Sequence, residues 1–126
     1  MTATPVLDAH REQLRGVFLE WLLEMEPDGV LDLGAGSGEL VAALWDRGVE
    51  AEGIEAADEH VAEARALDRP VEPGSAERVD RPDDSAPWVV VRHVLHHLER
   101  PEEAVREALR VARDGVLIAE PMSRTA

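Results

Sequence analysis

The sequence predicts an α/β fold, a parallel sheet with helices on both of its faces. Three observations carry that expectation. Short apolar runs that read as buried strands alternate along the chain with stretches of helical periodicity. The first such run, Val30-Leu31-Asp32-Leu33, passes straight into Gly34-Ala35-Gly36-Ser37-Gly38 and then into a segment of helical pattern. The 126 residues suit one domain with a modest core. No internal repeat, low-complexity segment or second domain is visible. Residues 1–126 therefore read as one domain, with an N-terminal helix at 6–26 and a core from 29 to 121.

The elements follow in order. Val6, Leu7, Leu14, Val17, Phe18, Trp21, Leu22 and Met25 recur at helical spacing, with Asp8, Glu12 and Arg15 between them. That predicts one amphipathic helix over 6–25, stopped by Pro27-Asp28-Gly29. Gly29 to Leu33 is the first strand. A second helix runs from Glu39 to Arg47, and Gly48 ends it in a C-cap position. Val49 to Ile54 reads as a strand, and Asp58 to Leu67 as a helix with Asp58 as N-cap. Residues 69–72 form a weak third strand, and 75–87, rich in Pro, Asp and Ser, a long loop. Trp88 to Arg92 is a strong strand. Pro101 to Arg113 is a helix with Pro101 in its first turn, and Gly115 to Ala119 is the last strand, closed by Pro121.

Composition excludes some partners. The formal charge is −14, and all 13 basic residues are arginine. Such a field disfavours nucleic acid and anionic membranes, which need clustered positive charge. A GC-rich genome or salt adaptation would produce the same bias, so the charge names no partner. No run approaches the roughly 20 apolar residues of a membrane span, and the first residues lack a signal-peptide layout. Without cysteine there is no disulfide and no thiolate metal site. A cytoplasmic enzyme or binding domain is expected.

A strand that turns into a helix through glycines aims backbone N–H groups and a helix N-terminus at a ligand. Glycine lets that ligand approach the backbone and permits positive φ. The dinucleotide fingerprint G-x-G-x-x-G requires a third glycine three residues after the second. Here that position is Glu39, whose carboxylate would repel a pyrophosphate. The spacing present, G-x-G-x-G followed by an acid, suits a cationic ligand without phosphate. S-adenosylmethionine (SAM) carries a sulfonium, an ammonium and one carboxylate.

Asp32-Leu33-Gly34-Ala35-Gly36-Ser37-Gly38 resembles the first motif of the class I SAM-dependent methyltransferases, most of all the small-molecule subgroup called type 11. The resemblance runs from about Val30 to Pro121. It implies a Rossmann-like three-layer sandwich with a mostly parallel sheet of order 3-2-1-4-5, short of the family's usual last two strands. It also implies SAM as cofactor, S-adenosylhomocysteine as product, and a small-molecule acceptor. The cofactor residues it marks are Asp32, Gly34, Ala35, Gly36 and Gly38, with Glu55 and Ala56 at the end of the second strand. Glu55 stands 21 residues after Gly34, where a carboxylate accepts both ribose hydroxyls; NAD enzymes carry an acid at similar distance. Gly74-Ser75-Ala76 replaces the family's Gly-Asp-Ala, so Ser75 and Ala76 are expected at the adenine without a charge. Pro87 stands where the family has an Asp.

Arg92-His93-Val94-Leu95-His96-His97-Leu98 matches the family segment that lines the methyl-transfer pocket, which places Arg92 and His93 among the cofactor contacts. Three histidines in five positions invite a metal, but no further Cys or His stands nearby and the family uses none here. His96 or His97 is instead the candidate general base. Trp21, Trp45 and Trp88 are expected to pack in the core rather than line a pocket. The family continues beyond the fifth strand, so Val116 to Ala119 would be an apolar edge. A truncated chain, a homodimer or a partner subunit would each account for it, and the last two are favoured. Three functions remain open. They are small-molecule methyl transfer, a non-catalytic SAM-binding or scaffold subunit, and, against Glu39, a NAD-type oxidoreductase.

Overall fold

The computed structural model describes residues 11–92 and 94–120. The first predicted helix is seen as α1 (Arg11–Glu24); residues 6–10 lie outside the described residues. It is followed by β1 (Val30–Leu33), α2 (Glu39–Asp46), β2 (Ala51–Glu55), α3 (Asp58–Ala66) and β3 (Val71–Pro73). Then come β4 (Ala86–Arg92), a single 3-10 turn at Leu95–His97, α4 (Pro101–Val111) and β5 (Ala112–Ala119). The five strands form one sheet of order β3-β2-β1-β4-β5, and all four pairings are parallel. The predicted α/β class and strand order are both present.

Strand alternation assigns the two faces. Val30 and Val90 point to one side, where they pack with Phe18 and Leu22 of α1 and Leu40, Val41 and Leu44 of α2. Leu31, Leu33, Val89 and Val91 point to the other, against Ala104, Ala108 and Val111 of α4. α3 covers β3 through Val61, Ala64 and Val71, joined by Ala35. Leu22, Val41 and Leu44 are fully buried, so truncating any one to alanine should cost about 2–5 kcal/mol.

Asp58, expected as the N-cap of α3, is instead its first helical residue, and Ala57 is the N-cap; the other boundary change lies at the β4–β5 end. The sequence placed a helix to Arg113 and a strand from Gly115. Instead α4 stops at Val111 and β5 starts at Ala112, whose φ/ψ of −73°/130° is already extended. The pairing partner decides this: Ala86 pairs with Ala112, and the register then shifts before Trp88 pairs with Gly115. Pro87 sits at that irregularity, where a residue without an N–H is tolerated. Gly115 is required by packing, since a Cβ there would lie 2.7 Å from the Trp88 ring.

The long loop between β3 and β4 is fastened to α4 at both ends. Glu77 accepts the backbone N–H of Arg100 ahead of the first turn (3.1 Å). Toward the far end, Glu107 accepts the Val79 N–H (2.7 Å), while Arg110 donates to the carbonyls of Val79 and Arg81 (2.9 Å each) and to Asp83 (2.7 Å).

Candidate functional site

Parallel strands deliver their carboxyl ends to one edge of the sheet, where ligands of such folds bind. On that edge β1 gives the glycine turn, β2 gives Glu55, β4 gives Arg92 and the segment after it, and β5 gives Glu120.

Gly34, Gly36 and Gly38 all adopt left-handed backbone, with φ of 79°, 59° and 84°. The two outer glycines also answer to packing. A Cβ on Gly34 would lie 2.7 Å from Val94 Cγ2, and one on Gly38 3.0 Å from Val71 Cγ2. Gly36 differs: a Cβ there would meet nothing within 4 Å, so its backbone borders open space. Ala35 is buried, and its methyl explains Gly53, where a Cβ would come within 2.3 Å of it. Two N–H groups of the turn, Gly34 and Ala35, donate to the Ile54 carbonyl (2.8 and 3.0 Å). Arg69 donates to the Ser37 carbonyl (3.1 Å) and ties the turn to the start of β3.

Glu55 lies across this turn, its side chain 13 % exposed. Oε1 accepts the Gly36 N–H at 2.7 Å and Oε2 the Ala57 N–H at 2.9 Å. Each oxygen keeps a second lone pair, and the His60 imidazole stands 3.7 Å from Oε2. Ala56 is exposed beside it. Asp32 is buried beneath the turn at 2 % exposure. Burial pushes its carboxyl up to about 7, with the Arg92 guanidinium opposing and the Glu55 charge reinforcing the shift.

Arg92 shares the Asp32 face of the sheet, with its guanidinium carbon 5.5 Å from the centroid of the Phe18 ring. Ser75 accepts the Glu77 N–H on Oγ (3.0 Å), which turns the loop sharply after β3. Ala76 is buried in the α4 cluster, so its side chain is turned into the core. His93 lies outside the described residues. Among the described residues no three His, Asp or Glu side chains gather as metal ligands would, and no helix is long and apolar enough to cross a membrane. Trp88 packs on Gly115, but Trp45 is not in the core as expected: it is 49% exposed at the end of α2, and its indole donates to the carbonyl of Ala51, the first residue of β2 (2.8 Å). Both tryptophans therefore sit at the amino ends of the strands, away from the site.

His96 and His97 lie exposed in the 3-10 turn, with ring centroids 3.9 Å apart. Sequence reasoning passed over what stands next to them. Glu120 holds His96 Nδ1 at 3.1 Å through Oε1 and accepts the Val94 N–H at 2.8 Å through Oε2. The available signal was positional: Glu120 follows β5 as Glu55 closes β2.

A family profile described as a methyltransferase domain matches residues 31–119. An uncharacterised methyltransferase of Mycobacterium tuberculosis is 35% identical over 99 residues, 77% of this chain and 40% of its own length. The uncharacterised methyltransferase YcgJ of Bacillus subtilis is 36% identical over 91 residues, 67% of this chain and 36% of that protein. The YcgJ crystal structure superposes with a TM-score of 0.67 at 30% identity, covering 75% of this chain and 45% of that one. A Haloferax volcanii protein, described as a methyltransferase and solved in complex with a methyltransferase activator, gives 0.63 at 29% identity, covering 69% and 41%. The chain thus spans about two fifths of the length of the curated relatives it matches. With the strand order 3-2-1-4-5, the glycine turn and the matched profile together, the chain belongs to the class I SAM-dependent methyltransferase family and has its Rossmann-like fold.

Proposed function

We propose that the chain binds SAM across the glycine turn and Glu55 and transfers its methyl group to a small-molecule nucleophile. The observation that carries this is the Glu55 carboxylate, already oriented by the Gly36 and Ala57 N–H groups, beside a glycine whose missing Cβ leaves open space. A paired acceptor with free lone pairs suits the two ribose hydroxyls. The approach at Gly36 suits a ligand lying on the backbone, and Ser75 with the Ala76 N–H forms the wall for the base. Glu55 beside the turn and Glu39 after it make the surroundings acidic, which favours a cation over a pyrophosphate. The residues present therefore fit SAM.

Bound SAM would supply a methyl group already activated by its sulfonium. What this chain's residues must then do is align the nucleophile and exclude water. A hydroxyl or acidic carbon acceptor must also lose a proton, and His96 and His97, on the segment that follows β4, are the groups placed for it.

Calorimetry tests the site. SAM and S-adenosylhomocysteine should bind and NAD should not, and Glu55→Ala should weaken SAM roughly 10- to 100-fold. Tighter binding of NAD than of SAM would sink this reading. A second reading, a non-catalytic SAM-binding or scaffold subunit working as a homodimer or with a partner, draws on the activator in complex with the Haloferax volcanii neighbour. Tight SAM binding with no methylation across a broad panel of nucleophiles would favour it.

A further inference from the structure

We propose that Glu120 is the positioning residue for His96, and that the pair, rather than His97, forms the proton-accepting device of the site. This rests on the methyl-transfer reading above. The geometry is specific. Glu120 is 19 % exposed and uses both oxygens, Oε2 on the Val94 N–H at 2.8 Å and Oε1 on His96 Nδ1 at 3.1 Å. The first bond anchors the carboxylate to the segment leaving β4, the same segment whose Val94 methyls fill the space a Cβ on Gly34 would need. The imidazole is thereby fixed relative to the glycine turn. A carboxylate accepts only, so Nδ1 must carry the proton, and Nε2 is left as the acceptor. Among the described residues no carboxylate pairs with His97; its ring stands against that of His96, tilted by 45°.

In the step this serves, the acceptor's nucleophilic atom forms a bond to the transferred methyl carbon while the carbon–sulfur bond breaks. The electron pair of that bond stays on sulfur, leaving a neutral thioether. The acceptor's O–H or C–H proton passes to His96 Nε2, and Glu120 stabilises the imidazolium until solvent takes the proton away.

Glu120→Gln separates orientation from packing. The amide carbonyl can keep the Val94 N–H, but its NH2 then faces Nδ1, which must become the acceptor and move the proton to Nε2. Nitrogen-15 chemical shifts of the His96 ring in the ligand-free full chain should show Nδ1–H in the wild type and Nε2–H in Glu120→Gln. In methyl-tritiated SAM assays on a panel of phenols, catechols and 1,3-dicarbonyls, kcat should fall about 100-fold, with acceptor KM and SAM affinity within twofold. The exposed His96→Gln variant should lose a similar factor, and Glu120→Asp should recover part of it. An Nε2–H imidazole in the wild type would overturn the pairing while leaving SAM binding intact. Reversal of the tautomer without loss of kcat would overturn the base role, as would a wild type that turns over none of these acceptors. Failure of SAM to bind would instead remove the cofactor reading and leave the ring signature in place.

Discussion

Two neighbouring glycines do different jobs, and alanine should tell them apart. Both Gly34 and Gly36 have positive φ, so each substitution carries about 1 kcal/mol of backbone strain. At Gly34 the new methyl also drives into Val94, so the thermal midpoint should fall by several degrees more than for Gly36→Ala. At Gly36 nothing is struck, and the loss should appear in SAM affinity instead. Equal midpoints for the two variants in a melting experiment would contradict this division. Asp32 provides a second prediction. Its carboxyl binds a proton up to about pH 7 when folded but only to about 4 when unfolded. Between those values the native state holds more protons, so its contribution to stability is full below about pH 4 and is lost as pH rises to about 7, roughly 4 kcal/mol in all. Denaturant titrations at pH 5 and pH 8 should show that decline in the wild type, set against a shallower one in Asp32→Asn.

Among the elements, α4 has a task beyond covering the sheet. Glu107 and Arg110 hold the loop that carries Ser75 and Ala76, and the Arg110 hydrogen bond keeps the Glu107 carboxyl below its ordinary range. Glu107→Ala removes the acceptor of the Val79 N–H and the main partner of Arg110, so it should cost about 1–3 kcal/mol in chemical unfolding. It should also weaken SAM more than Glu103→Ala, which removes only an exposed pair with Arg106. Equal effects of the two on SAM would show that the loop is held elsewhere. These ties also mark where the sequence stopped being readable. The glycine turn was legible because backbone permissiveness is a property of single residues, and the helices because their periodicity is local. The Glu107–Val79 bond spans 28 positions and the Glu120–Val94 bond 26. Both are brought about by the order in which strands pair, which no local pattern of Glu or Arg encodes. The early start of β5 was missed for the same reason, since the pairing of Ala86 with Ala112 overrode what Gly115 suggested.

For the molecule as a whole, charge is the dominant long-range term. With 27 acidic residues against 13 arginines, self-repulsion opposes the compact state at low ionic strength. Raising sodium chloride from about 10 to 150 mM shortens the screening length from about 30 to 8 Å. The thermal midpoint should therefore rise over that range, while affinity for the cationic SAM should fall. A midpoint that drops with salt would mean that the arginine pairs outweigh the excess charge. Arginines such as Arg110, paired with Glu107 and Asp83, and Arg113, paired with Asp28 and Asp114, offset only part of that excess.

The Glu55 carboxylate has one more consequence, in time rather than in energy. Both of its oxygens are held before any ligand arrives, one by the Gly36 N–H in the middle of the glycine turn and one by the Ala57 N–H just after β2. No side chain has to search for its rotamer after first contact, so capture of the nucleoside needs no slow ordering step. Differences in affinity among nucleosides should then lie in how long each stays bound.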